Sequence, residues 1–449
     1  EKRHSGNFCL NGIVASDGRP KAAMYECKSV YQPVETEMKD ASKGIIRIYN
    51  RHASRSLKDY SIALNLMKDG KIIQTKELPS IDLAAGRDTL LNILTYLTFN
   101  NEPGSEYHAS IRYSLAKDEL WAPAGHVIAS NQFALTGLPE TKKVPEKYTD
   151  VSIAEMDSTW QIKGNGFQAI FSKQNGALVS YIFNGKQQFY APLLPHFTRP
   201  ATDNDRRGWN PHKKLKEWYI PDMALADMKA VQAKKGIAEI ISTYSLIGNK
   251  ASVKITYQIN GFGVIKVMYN LYVRDSLPNI PRVGMQCGIR REYDNISWYG
   301  RGLQENYIDR RYGFDVGIYR QPIVDFMEPY VYPQENANRT DIRWMFLADR
   351  QNNGFLVVAD SLLSMSAWLY TEAQIVAAKH TNKLKDAGFI TLNIDLIQMG
   401  VGGNDTWSDV SQPLEKYQIP AKDYSYCFYL MPATIKQERI GEKAKRVKY

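Results

Sequence analysis

Tyr60-Ser61-Ile62-Ala63-Leu64-Asn65-Leu66-Met67-Lys68-Asp69-Gly70-Lys71-Ile72-Ile73 decides the fold class. Tyr60, Ile62, Leu64 and Leu66 fall on every second position, so an extended chain puts all four on one face. Asp69-Gly70 then supplies the residue pair of a tight hairpin turn, and apolar residues resume at Ile72 and Ile73. The same device recurs at Asn175-Gly176, between Ala169-Ile170-Phe171 and Leu178 to Phe183, and Asn184-Gly185 turns the chain again. Ile46 and Ile48, and the runs 238–244, 253–257, 264–273, 355–359 and 424–430, read as further strands. Helical signals are few: Pro20 to Val30 opens on a proline, 221–234 is ambiguous, and 371–379 suits a short helix. The expected fold is mainly β.

A chain of 449 residues exceeds one ordinary core, so several domains are expected. Residues 1–33 form a leading segment. Residues 34–138 carry short strands at about 8–12-residue spacing, the pattern of an immunoglobulin-like β-sandwich. A polar linker from Leu138 to Pro145 follows, and 150–449 reads as a large antiparallel β supersandwich, two broad sheets face to face.

Composition excludes several function classes. The hydrophobic fraction of 44% with 23% charged residues belongs to a globular protein rather than a disordered one. The net charge is +10, yet the basic residues are scattered among 47 acids and make no continuous stripe, so no nucleic-acid partner is expected. No run of eighteen apolar residues occurs, so no membrane span is expected. Cys9, Cys27, Cys287 and Cys427 lie far apart and are read as thiols rather than zinc ligands or a disulfide framework. The opening Glu1-Lys2-Arg3-His4, without an initiator Met, reads as a fragment or processed chain.

Four segments carry unusual chemistry. Gly400-Val401-Gly402-Gly403-Asn404-Asp405-Thr406-Trp407 is a glycine loop that either offers an indole to the C–H face of a sugar or plugs a gap between sheets; spacing alone favours the plug. Trp298 to Arg311 is crowded with polar residues and suits Arg–Glu pairing between strands; Gly300 and Gly302 lack the third glycine and the βαβ setting of a dinucleotide site. Pro329 to Arg339 offers amides and a carboxylate, for sugar hydroxyls or for its own backbone. Phe197 to Gly208 contains Asp203 and Asp205, where Asp–Arg pairing is favoured over calcium because no glutamate completes an EF-hand loop. No pair of carboxylates stands out for glycoside hydrolysis.

Taken in order, these motifs resemble the C-terminal half of a family 2 β-galactosidase. Phe8-Cys9-Leu10-Asn11-Gly12 with Asp17-Gly18-Arg19-Pro20 is similar to the segment closing that family's catalytic barrel, and Trp121 to His126 with Gln132-Phe133 to the end of its second immunoglobulin-like domain. Phe197-Thr198-Arg199-Pro200 through Asp205, and the Trp298 and Trp407 loops, follow as in its large C-terminal domain. The resemblance implies hydrolysis of terminal β-galactosides with retention, by two glutamates upstream of this chain, so no catalytic residue is expected here. It implies that Trp407 stacks on substrate, with Asp405 and Gly208 beside it, and that Phe8 and Asn11 give a main-chain carbonyl and an amide oxygen to a sodium ion. Magnesium would bind the full enzyme through residues absent from this chain. Expected partners are the β-galactoside, the catalytic barrel and further copies of the enzyme, in the cytoplasm or periplasm of a bacterium. The alternative is a non-catalytic small subunit of a two-chain lactase, or a carbohydrate-binding β module.

Overall fold

The computed structural model describes residues 12–98, 100–139 and 148–448. Phe8, Cys9 and Asn11, and the linker from Glu140 to Pro145, lie outside them. The chain divides into two compact units: one holds the described residues up to 139 with Tyr312–Ile318, the other those from 148 to Arg311 and from Tyr319 onward.

In the smaller unit the opening stretch folds as its pattern demands. Tyr60–Lys68 and Lys71–Leu78 are antiparallel strands, with Lys68 opposite Lys71 across a two-residue turn. Asp69 (φ 49°) and Gly70 (φ 80°) both take the left-handed conformation that such a turn requires. The hairpin extends to a four-stranded sheet through Tyr107–Leu115 and Val127–Ala134. Val34–Asp40, Ile45–Asn50 and Asp88–Asn92 make a three-stranded sheet. Ile46 and Ile48 from the three-stranded sheet share one buried cluster with Ile62, Leu64, Ile111 and Tyr113 from the four-stranded one. Each such aliphatic side chain removed from water contributes about 1.5–3 kcal/mol. Asn65 is buried on that sheet, with its amide donating to Ser110 and accepting from Thr75.

In the larger unit, antiparallel strands from Ser152–Glu155 to Tyr424–Thr434 join into one network that closes on itself, rather than two separate sheets. Phe189–His196 joins two runs: it pairs along its length with Arg282–Arg290, while Leu193 pairs with Leu178. Its register shifts twice, once at Tyr190 and once across Pro192-Leu193, where Pro192 has no N–H to give a ladder. Asn353–Trp368 is long enough for two neighbours along one edge, Tyr424–Thr434 beside its first half and Phe389–Gln398 beside its second. Tyr424–Thr434 also pairs with Ile265–Val273, and so closes the network. The interior is one apolar cluster, in which Phe171 meets Tyr257 and Phe189 meets Phe355 edge-on.

The helices are short. Ala22–Val30 follows Pro20, and Glu372–Ala377 starts at Thr371, whose hydroxyl and Gln374 complete a capping box. The ambiguous 221–234 is a strand, Ala224–Lys234, because its residues pair along their length with Ile237–Leu246 across Gly236. No helix among the described residues is long and apolar enough to cross a membrane. Cys27, Cys287 and Cys427 are free thiols.

Candidate functional site

The four polar segments, read separately in the sequence, meet in a ring of contacts in the larger unit. Segment 197–209 touches segment 399–411 through three hydrogen bonds: Arg199 Nη1 donates to the Met399 carbonyl (2.9 Å), the Trp209 N–H donates to Ser411 Oγ (2.9 Å), and that hydroxyl donates to the Asn204 carbonyl (2.9 Å). Asp309, from the Trp298 segment, accepts the Gly402 N–H at 2.7 Å. The Trp298 and Pro329 segments interlock, with the Asn306 N–H donating to the Asn338 carbonyl, Asn338 Nδ2 returning a bond to the Asn306 carbonyl, and the Ala337 N–H donating to Glu305. The circle closes where the Asp203 N–H donates to Gln334 Oε1 (3.0 Å) and the Arg206 guanidinium lies 3.7 Å over the Tyr332 ring.

Trp407 stands on the Gly400–Ser411 part of this ring, and its side chain is 61% exposed. An indole plugging a gap between sheets would be covered, so Trp407 is no such plug and stands at the surface of this chain. Asp405 shapes the turn beneath it. One carboxylate oxygen accepts the N–H groups of Trp407 (3.2 Å) and Ser408 (3.1 Å), and the other accepts the Ser408 hydroxyl (2.5 Å). Those bonds, the Ser408 hydroxyl first, hold the Asp405 carboxyl below the usual carboxylate range. Gly208 is placed against Ser411: a Cβ there would lie 1.6 Å from the Ser411 hydroxyl oxygen. The close approach of two backbones explains the glycine.

Asp203 and Asp205 are both engaged by arginines. Asp205 is buried and receives Arg199 through Nε and Nη2 (3.2 Å each), the Thr202 N–H and the Trp209 indole N–H. Asp203 pairs with Arg206 at 2.6 Å. Among the described residues, no three His, Cys, Asp or Glu side chains gather as metal ligands.

A largely buried charge lattice lies next to the ring, centred on Arg282 at the start of strand Arg282–Arg290. Arg282 reaches Glu335 (3.1 Å), Asp395 (3.5 Å) and His196 Nδ1 (3.3 Å). A guanidinium only donates, so Nδ1 accepts and the His196 proton sits on Nε2, where it reaches Glu372 at 2.6 Å. Burial, opposed by the Glu372 carboxylate and helped by the positive charge of Arg282, holds His196 below its ordinary value. For Glu372 burial pushes upward, but His196, Arg282 and the Thr198 hydroxyl outweigh it and keep the carboxylate ionised. Burial dominates at the other two acids: Glu335 is pushed up to about 7 and Asp395 to about 8, each partly opposed by Arg282. Both are wholly covered; Glu335 ties the Pro329 segment to the sheet through Arg282, while Asp395 flanks the same guanidinium from the neighbouring strand. Glu305 has the same kind of task, holding Arg310 (2.6 Å), the Tyr330 hydroxyl and the Ala337 N–H.

Of the residues expected from sequence, Trp407, Asp405 and Gly208 come together around one loop; Phe8 and Asn11 lie outside the described residues. Sequence reading missed Ser411, Asp309 and the Arg282 lattice. Their partners are up to 207 positions away, and isolated Ser, Asp or Arg residues carry no local signal.

Sequence comparison adds two family matches: a family described as Beta galactosidase small chain over residues 163–430, and Beta-galactosidase, domain 4, over residues 46–136. The β-galactosidase of Priestia megaterium is 30% identical over 433 residues, covering 96% of this chain and 41% of that protein. That of Halalkalibacterium halodurans is 28% identical over 407 residues, covering 89% and 39%. The chain thus spans well under half the length of either relative. Among solved structures, a galactose mutarotase related enzyme from Lactobacillus acidophilus aligns over 62% of this chain and 98% of its own, with TM-score 0.35 and 8% identity, too distant to bear on fold or function.

Proposed function

The chain belongs to the β-galactosidase small-chain family, and from that premise we propose that it is the C-terminal portion of a family 2 glycoside hydrolase releasing terminal non-reducing β-D-galactose with retention, lactose being one such substrate. The observation that carries the reading is Trp407, a mostly exposed indole on a loop whose every turn is braced. The flat ring suits the apolar C–H face of galactose. Asp405 orders that ring, and lone pairs left on its carboxylate can accept a sugar hydroxyl. Gly208 gives the neighbouring segment the room to support the same loop.

The two glutamates of a retaining mechanism would come from the catalytic barrel upstream, one as nucleophile and one as acid and base. The chain's own part is to hold the sugar against them and to exclude water from one face of the ring. Phe8 and Asn11 would give sodium a carbonyl and an amide oxygen, a donor set suited to a hard cation. Magnesium would bind the full enzyme through upstream residues, and the enzyme would assemble as a homo-oligomer within a bacterium. The boundaries 1–33, 34–138 and 150–449 would then be barrel tail, immunoglobulin-like sandwich and large sandwich.

The test is turnover of a chromogenic β-galactoside. The full-length protein should hydrolyse it, with Trp407→Ala raising KM about tenfold, the loss of about 1.4 kcal/mol of stacking. The 449-residue chain by itself should be inert. Turnover by that chain, or an unchanged KM in the variant, would refute the reading. The family's description as a small chain favours a second possibility, a separate subunit of a two-chain lactase. Activity regained on mixing the chain with a separately made barrel would support it.

A further inference from the structure

We propose that Ser411 is the positioning residue for Trp407, fastening the tryptophan loop to the Asn204–Trp209 segment so that the two are placed as one piece. The proposal rests on the reading of Trp407 as a sugar platform for its functional meaning, and on geometry alone for the fastening.

Ser411 is completely buried, so it touches no ligand. Its hydroxyl works in both directions, accepting the Trp209 N–H and donating to the Asn204 carbonyl, each at 2.9 Å. Two glycines make the seat. A Cβ on Gly208 would fall 1.6 Å from the Ser411 Oγ, and one on Gly403 would fall 2.1 Å from the Ser411 carbonyl oxygen. Neither distance is tolerable for a real side chain, so both backbones approach Ser411 as closely as backbone can.

The link continues to the indole by short steps. The Ser411 N–H donates to the Ser408 carbonyl (3.1 Å), the Ser408 hydroxyl donates to Asp405, and Asp405 accepts the Trp407 N–H. The Asn404 N–H donates to the Val410 carbonyl at 2.9 Å and shuts the loop. At the other end, the Asn204–Trp209 segment is anchored by Asp205 on Arg199, both buried. Trp407 is therefore referred to the buried Arg199 through Ser411, although the loop that carries it stands at the surface. Asp309 adds a bond at Gly402, on the opposite end of the loop from Ser411.

Loss of the hydroxyl should release the loop without touching the chemistry. The test labels the eight tryptophans of the 449-residue chain with 5-fluorotryptophan and follows them by fluorine NMR, with Trp407→Phe and Trp209→Phe assigning two signals. In Ser411→Ala the Trp407 and Trp209 signals should move together while the other six hold. Ser411→Cys, with a weaker donor in the same place, should move the same two signals less, and it serves if the alanine variant does not fold. In the full-length protein Ser411→Ala should raise KM for a chromogenic β-galactoside about tenfold, with kcat changed less than about threefold, since a tenfold loss equals one displaced stacking contact. An unmoved Trp407 signal overturns the proposal whatever the kinetics show. A general shift of all signals also overturns it, because Ser411 would then be merely structural. If the two signals move but Trp407→Ala leaves KM unchanged, the fastening stands and the sugar-platform reading falls.

Discussion

Arg282→Met should cost stability that depends steeply on pH. The guanidinium sits wholly buried between Glu335 at 3.1 Å and Asp395 at 3.5 Å, with His196 Nδ1 at 3.3 Å. Methionine fills a similar volume and leaves the two carboxyls without their counter-charge. Breaking a buried pair from one side typically costs about 3–5 kcal/mol. The larger unit has about 290 residues, so at roughly 2.1 cal/mol/K per residue its unfolding entropy is about 0.6 kcal/mol/K, and a loss of about 4 kcal/mol lowers Tm by about 7 °C.

The sign of the pH effect follows from the two acids. In the folded protein Glu335 lies at about 7 and Asp395 at about 8, both above their unfolded values. Between those limits the native state holds more protons than the unfolded one, so stability falls as pH rises. Without Arg282 both folded values climb further, and the fall continues past pH 8, by up to about 1.4 kcal/mol per pH unit per carboxyl. Near pH 5 both acids are neutral in the native state, and the wild type itself then carries a buried cation facing uncharged partners. The gap between variant and wild type should therefore be close to zero at pH 5 and reach about 7 °C by pH 9. Thermal unfolding of both chains by circular dichroism at pH 5, 7 and 9 measures it. A gap that stays constant, or narrows with rising pH, refutes the account of the lattice.

Trp407→Ala should leave Tm within about 1 °C, because a mostly exposed side chain contributes little to folding, and calorimetry checks it. Gly208→Ala should destabilise by about 1–3 kcal/mol through overpacking against Ser411, and Ser411→Gly in the same chain should recover part, since the nearest remaining atom is the Ser408 carbonyl at 2.9 Å; a double-mutant cycle in urea gives the coupling. Thr371→Ala removes a capping box from the helix that carries Glu372 and should cost about 1 kcal/mol, visible as faster hydrogen exchange at the Gln374 amide.

The strands were legible because a period of two and the Asp-Gly and Asn-Gly turns are local signals; Asp69 and Gly70 adopt the conformations that their types imply. Ala224–Lys234 was not, since its apolar spacing suits either period and its partner strand decides the matter. At the site, Trp407 was visible from its glycines, but whether it faced solvent depended on what packed around it. Gly208 was visible as a glycine and opaque as to purpose: the atom that forbids a Cβ belongs to Ser411, far along the chain. Arg282 could not be singled out among 57 basic residues, because burial and three partners far along the chain, two on strands and one on a loop, define it.

The closing of the larger network by Tyr424–Thr434 sets an order of events during synthesis. Both sheets of the smaller unit are complete once Ala134 has left the ribosome. The strand that seals Ile265–Val273 to Asn353–Trp368 arrives about 290 residues later, or some 15–60 s at about 5–20 residues per second. For the last 56 or so of those residues, about 3–11 s between Trp368 and Tyr424, two long apolar strands wait with open edges. A nascent chain of this kind depends on being shielded while it grows, and a stop codon between Trp368 and Tyr424 would leave both edges permanently available to other chains.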